Sequence, residues 1–326
     1  MIEPSLKRKA LTVAAIVFLV LAIPTVGVGA WYYRSFNADL TDQVTSHIQT
    51  LQALAAKAVA LRLDKLVEMA KSYASQPTLQ DAMAQKAWSR GIIAVKTLQD
   101  NPAFYDYYFD RIFLIGLDGK INGAFPGIAA TDIGTVDSGY PAKWSGPLLV
   151  DHASSYISNV VLRSVSPRIN VIKILVPVVK DSAIVGVLRF DIPINEFSNL
   201  GKNAELTSDG FVYFVDATGQ IISHPKISSD SPIVSFASVP SVDRAIHGQS
   251  GIDILYNSLE QETRVTAYGQ VPGYGWGVIA QEPVDEAFVT RDAILKTILI
   301  MILTSLLVEV GIAAVIFAKE TRATRP

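Results

Sequence analysis

Arg189 and Asp191 stand two residues apart inside an otherwise apolar run, Val185-Gly186-Val187-Leu188-Arg189-Phe190-Asp191-Ile192, and share one face if that run is a strand. A carboxylate so placed can accept an ammonium group, and the upstream aromatic residues Tyr140, Trp144 and Tyr156 offer ring faces that attract the same charge. Ser158 adds a hydroxyl. Together these residues point to noncovalent capture of a small polar molecule. The competing reading is an ion pair of Arg189 with Asp191, or with Lys173 as a further partner, that serves structure alone.

Other chemistries find no constellation in the chain. With no cysteine, thiolate nucleophiles, thiolate metal sites and iron–sulfur clusters are excluded. The four histidines, His47, His152, His224 and His247, are scattered, so no metal site is expected, and there is no Gly-x-Ser-x-Gly elbow for a serine hydrolase. Asp106 and Asp110, at helical spacing beside tyrosines, read as a solvated face before a strand. The glycine-rich stretch from Tyr268 to Gly277 lacks the pattern of a phosphate loop. Neither catalysis nor a cofactor is expected. A net charge of −2 without a long basic run argues against nucleic-acid binding.

The elements that must position Asp191 are legible as strands. Alternation places Ile184, Leu188, Phe190 and Ile192 on one face, suited to packing on a helix, and Val185, Val187, Arg189 and Asp191 on the other. The segment from Gly127 to Ser164, rich in Gly, Asp, Ser, Tyr and Trp, is placed to cap that second face, with Asp137 as an accessible loop position. A repeat then gives the architecture. Arg111-Ile-Phe-Leu-Ile-Gly-Leu-Asp118-Gly119-Lys-Ile121 reads as strand, turn and strand, and Gly210-Phe-Val-Tyr-Phe-Val-Asp216-Ala-Thr-Gly219-Gln-Ile-Ile222 repeats the design. Each copy reaches a proline, Pro126 or Pro225, and closes with two further strands running into a helix. The pattern predicts an α+β fold of two tandem antiparallel-sheet modules, spanning residues 76–200 and 201–290.

A helix precedes them. Val44, Ile48, Leu51, Ala55 and Ala58, widened by Leu54, Leu61, Leu66 and Met69, form an amphipathic stripe over residues 34–75 that Gln76-Pro77 ends. Arg62 and Lys65 fall at heptad seam positions, which limits any dimer contact to part of its length. Apolar runs at 10–33 and 294–318 each exceed the roughly 20 residues that cross a bilayer. Basic flanks at 1–9 and 319–326 place both termini in the cytoplasm and the middle outside. Glu309 lies well inside the second run, where an ionised carboxylate costs about 2.5–3.5 kcal/mol, so it is expected to be neutral or to face a polar partner. Ser305, four residues away, shares its face, which leaves either a hydrogen bond to a neighbouring helix or a polar seam across a dimer.

The long helix, the turns at Leu117-Asp118-Gly119 and Asp216-Ala217-Thr218-Gly219, Ile222-Ser223-His224-Pro225 and Tyr274-Gly275-Trp276-Gly277-Val278 together resemble the double Cache family of extracytoplasmic sensor domains. The resemblance implies two PAS-like sheets stacked on the long helix, with the first module farther from the membrane and binding the ligand. Amino-acid-binding members look similar at Asp191 and Trp144, but Ala142 stands where an arginine would hold the ligand carboxylate, which by the same resemblance leaves that role to Lys143 or Arg163. The final residues resemble the opening of a HAMP linker. The chain therefore reads as the sensing portion of a dimer-prone bacterial inner-membrane receptor of the chemoreceptor, histidine kinase or nucleotide cyclase kind, either a fragment of such a receptor or a natural stub that binds without transmitting. The ligand would be an amino acid, amine or organic acid. A membrane-anchored module that recognises a protein partner is the alternative, and an extracytoplasmic hydrolase the third reading.

Overall fold

The computed structural model describes residues 4–100, 109–137, 155–201, 206, 208–257 and 260–323. The first helix, α1 (Pro4–Ala74), is continuous through the apolar run and the amphipathic stretch. It ends where expected, because Gln76 is extended and Pro77 opens α2 (Pro77–Ala84), followed by α3 (Trp88–Gln99). The chain divides into two compact units, one of residues Ile48–Pro283 and one of the segments before and after it.

In the first unit, the buried face of α1 runs through Ile48, Gln52, Ala55, Val59, Leu63, Leu66, Ala70 and Tyr73 at spacings of three and four. This corrects the expected stripe in part: Leu54 and Leu61 are 58% and 52% exposed, on the outer side of the helix. Arg62 reaches Glu196 at 3.4 Å.

Two antiparallel sheets follow. The first contains β1 (Arg111–Ile115), β2 (Ile121–Phe125), β3 (Tyr156–Ile157), β4 (Val161–Leu162), β5 (Asn170–Lys180) and β6 (Ala183–Pro193), in the order β2-β1-β6-β5-β3 with β4 also on β5. The second contains β7 (Phe211–Val215), β8 (Ile221–Ser223), β9 (Gly251–Asn257), β10 (Glu262–Gln270) and β11 (Gly277–Pro283), in the order β8-β7-β11-β10-β9. A short helix, α4 (Pro240–Ile246), packs on the second sheet.

The repeat is structural as well as sequential. Gly116 N–H donates to Lys120 O at 2.9 Å and Asp216 N–H to Gln220 O at 2.9 Å, each closing its turn. Gly119 and Gly219 both take positive φ, 75° and 79°. Each hairpin is then braced from outside, Ile121 N–H donating to Thr135 O and Ile221 N–H to Val234 O, both at 2.9 Å.

The even-numbered residues of β6 face helices, as alternation required. Phe190 meets Tyr73 of α1 edge-on at 5.7 Å and Phe109 at 4.8 Å. Burial among these rings pushes the Tyr73 hydroxyl up to about 12. Gly186 lies against Met83 of α2, and a Cβ there would sit 2.9 Å from Ile115 O. A bulge between Val178 and Val179 shifts the register just before Ile184.

The second unit holds the start of α1, α5 (Val284–Ala287) and α6 (Val289–Ala323). Both long helices are long and apolar enough to cross a membrane. Glu309 is 6% exposed; Thr25 Oγ1 donates to its Oε1 at 2.6 Å, with Ser305 Oγ 3.5 Å from the same oxygen. The carboxyl thus has the polar partner its depth demands, on α1 of the same chain. A groove of about 700 Å³ beside it is lined mainly by apolar residues such as Val28, Tyr32, Ile298 and Ile302.

Candidate functional site

Strand register assembles the site. Lys173 on β5, Asp191 on β6 and Arg111 on β1 are Cα partners in one row across the first sheet, and Leu175, Arg189 and Phe113 form the next row. Directly opposed residues share a face, so the odd-numbered side of β6 gathers Lys173, Asp191, Arg111 and Arg189. All four are buried, as are Arg163 and Asp137 from the segments that cross this face. Burying an ion costs several kcal/mol unless its partners replace water, so the pairing matters.

Arg189 is the hub. Its Nε and Nη2 donate to Asp191 Oδ1 and Oδ2 at 2.9 and 3.2 Å, and its plane lies 3.5 Å over the Phe113 ring. Its Nη1 is 2.8 Å from Asp137 Oδ1, an ion pair without hydrogen-bond alignment. Lys173 Nζ donates to the same Asp137 oxygen at 3.0 Å. Arg163 donates to Asp110 and, through Nε and Nη2, to Pro167 O at 3.0 and 2.7 Å, with Asp191 Oδ2 4.0 Å from its Nη1. Arg111 Nη1 donates to Ser166 O at 2.7 Å, while its Nε is buried without a hydrogen-bond partner among the described residues. Burial pushes the Asp191 carboxyl up, against the pull of Arg189, Lys173 and Arg163. Burial and then the Arg163 charge lower the Arg111 guanidinium, with Asp110 and Asp191 opposing.

Six of the residues singled out in the sequence come together here, Arg163 and Lys173 among them. Asp191 and Arg189 are paired as described. Tyr156 is half-buried against the apolar layer of Phe113, Val165, Leu175 and Val187. Ser158 is buried, donates to Asn159 O at 2.7 Å and accepts from Lys173 N–H at 2.9 Å. Tyr140, Lys143 and Trp144 lie outside the described residues.

Two expectations need correction. Asp137 is not an accessible loop position but 2% exposed, because its N–H is tied to Gly119 O at 3.0 Å and its carboxylate enters the cluster; the outer turn residue Asp118 is the exposed alternative. Asp110 is not on a solvated face, since it pairs with the buried Arg163. Arg111 was overlooked altogether. Its signal was present, because it heads a strand and shares a parity with Phe113 and Ile115.

The equivalent row of the second sheet carries no charge. Thr266 pairs with Gln281 and Gln281 with Phe211, where the first sheet has Lys173, Asp191 and Arg111. Ionised groups nearby are matched: Glu260 Oε2 lies 3.0 Å from Arg264 Nε and accepts from Gln281 Nε2 at 2.7 Å. A cleft of about 420 Å³ is lined by Phe211, His224, Pro225 and Ser228. The imidazole there is occupied, however, with Nδ1 accepting from Lys226 N–H at 3.1 Å and Nε2 3.2 Å from Glu260 Oε1, so Nε2 carries the proton and donates.

Two antiparallel sheets with one repeated hairpin design, both packed against a long helix, define the architecture, and the Cache-domain family (its dCache form) matches residues 30–290. The chain belongs to the Cache family. Solved Cache-type ligand-binding domains share its fold. That of the Pseudomonas fluorescens chemoreceptor CtaA, in complex with L-isoleucine, superimposes with a TM-score of 0.53 at 15% identity, over 78% of this chain and 98% of its own. That of the Pseudomonas aeruginosa PAO1 amino acid chemoreceptor PctB, in complex with L-Arg, gives 0.53 at 15% identity over 76% and 98%. That of Mlp24 with asparagine gives 0.54 at 18% identity over 78% and 99%. No curated protein matches the chain. For this Cache domain such identities establish the fold alone, and the chemistry of its site rests on its own residues.

Proposed function

We propose that this chain is the ligand-sensing portion of a bacterial transmembrane receptor and binds a small polar molecule at the Asp191 face of its first sheet. The observation that carries the reading is the row of buried charged residues Lys173, Asp191 and Arg111 across that face, where the matching row of the second sheet, Thr266, Gln281 and Phe211, is neutral. A fold does not need such a cluster for stability, since apolar residues of similar volume do as well or better. The CtaA and PctB domains are named as chemoreceptor ligand-binding domains and all three described relatives are complexed with amino acids, which supports a sensing role and a small polar ligand of the amino acid, amine or organic acid class.

The setting is the inner membrane, with both termini cytoplasmic as the basic flanks favour. A homodimer is supported by Leu54 and Leu61, exposed and seven residues apart on the outer side of α1. Binding would bias α6 only through a difference in affinity between two states of the sensor. Catalysis is no part of the proposal.

The test is thermal melting of the full chain in detergent against amino acids, amines and organic acids. A saturable rise in Tm with one class is expected, lost on Asp191→Ala but kept on His224→Ala. Dependence on His224 instead of Asp191 would move the site to the second module. Stabilisation only by a purified protein would favour an interaction module.

A further inference from the structure

We infer that the ligand of the first sheet carries a carboxylate and needs no ammonium group, and that Arg111 receives it. The inference rests on the reading of this face as the binding site and narrows its chemistry. Among the described residues the cluster holds four cations, Arg111, Arg163, Lys173 and Arg189, against three carboxylates, Asp110, Asp137 and Asp191. Each carboxylate has a cation beside it: Asp110 has Arg163, Asp137 has Lys173 and Arg189, and Asp191 has Arg189. The surplus is one positive charge, and it falls on Arg111, for which no carboxylate lies within ion-pair distance among the described residues.

Arg111 is 8% exposed, and its Nε–H is a buried donor without a hydrogen-bond partner among the described residues. Such a donor carries a standing desolvation penalty that an arriving acceptor removes. Burial and the neighbouring Arg163 charge already disfavour its cation, which is the condition of a positive group short of counter-charge.

An ammonium meets the opposite situation. Both oxygens of Asp191 accept from Arg189, and that guanidinium is itself held by Asp137 and the Phe113 ring. Binding an amine at Asp191 therefore requires a stacked, bidentate partner to leave, and would add a second positive charge to a site already in surplus. A carboxylate at Arg111 requires no ion pair of the cluster to part and brings the charges of its described residues to neutrality.

The experiment uses the full chain in lipid nanodiscs. Sodium acetate, propionate and succinate are compared with ethylammonium and 1,4-diaminobutane chlorides at matched ionic strength, in the parent and in Arg111→Gln, Arg111→Lys and Asp191→Asn. A saturable rise in Tm with at least one carboxylate and with neither amine is expected. Arg111→Gln should lose it, with a ligand-free Tm no lower than the parent's, because the surplus charge is gone. Arg111→Lys, which keeps the charge and loses the planar donor, should weaken the apparent affinity at least tenfold, and it serves alone if Arg111→Gln does not fold. Amine-dependent stabilisation abolished by Asp191→Asn would overturn the carboxylate inference and leave the site reading intact. Stabilisation by any probe that ignores both Arg111 and Asp191 would overturn both. Absence of a shift with every carboxylate overturns the inference, whatever the variants do to the ligand-free Tm.

Discussion

Glu260, half-buried, and Asp191, fully buried, are both carboxylates near arginines, yet their protonation leans in opposite directions. Burial alone would push Glu260 up, but the hydrogen bond with His224 and the Arg264 charge outweigh it and hold the group below its ordinary 4.5. Asp191 is driven the other way, because burial there exceeds what Arg189, Lys173 and Arg163 return. A carboxyl that binds its proton more weakly when folded adds stability above its ordinary value and loses it as pH falls through the folded value. Glu260→Gln should therefore flatten the decline in Tm below about pH 4.5 while lowering the neutral-pH Tm. An acid limb as steep as the parent's would show that Glu260 does not set it. At this scale the sequence was partly legible. Period-two alternation placed Arg189 and Asp191 correctly, since parity on a strand needs no tertiary knowledge. It had no purchase on Asp137 or Asp110, which reach the cluster from loops whose course only the folded chain defines.

The hairpins show how far local chemistry fixes an element. Gly219 is needed twice over: its φ of 79° suits glycine, and a Cβ would lie 2.8 Å from Ala237 Cα, in a backbone with no room to yield. Gly219→Ala should cost about 2–4 kcal/mol, read as a shifted urea midpoint with unchanged slope. Gly127→Ala is the control, because nothing lies within 4 Å of that position, and it should stay within about 0.5 kcal/mol of the parent. The turns were readable because their demands are local. The helix face was harder. Leu54 and Leu61 satisfied a widened apolar stripe equally well, and only the sheets on one side of α1 decide that Val59 and Leu63 point inward instead.

At the scale of the molecule, the tandem sheets and the two apolar helices were visible beforehand because repeats and long hydrophobic runs survive without knowledge of contacts. What the sequence did not reveal is how the sheets are joined. Asp216 uses Oδ1 to hold its own turn, accepting from Thr218 N–H at 2.8 Å and Gln220 N–H at 3.0 Å. Its Oδ2 accepts from Val160 N–H at 2.8 Å, two residues beyond Ser158 and just before β4 of the first sheet. Asn170 of β5 adds bonds from Nδ2 to Ser229 O at 3.0 Å and Ser231 O at 2.7 Å.

The bond at Val160 has a consequence for how slowly one stretch of chain gives up its protons to solvent. Loop amides ordinarily exchange through small local openings. The Val160 amide exchanges only when a buried carboxylate belonging to the other sheet lets go of it. In deuterated buffer its protection should therefore track that of Val212 and Phe214 in the core of the second sheet, and exceed that of Ile133 in the exposed part of the same crossing segment by at least tenfold. Asp216→Asn should bring Val160 down to the rate of its neighbours. Fast exchange at Val160 in the unaltered protein would mean that the two sheets breathe independently.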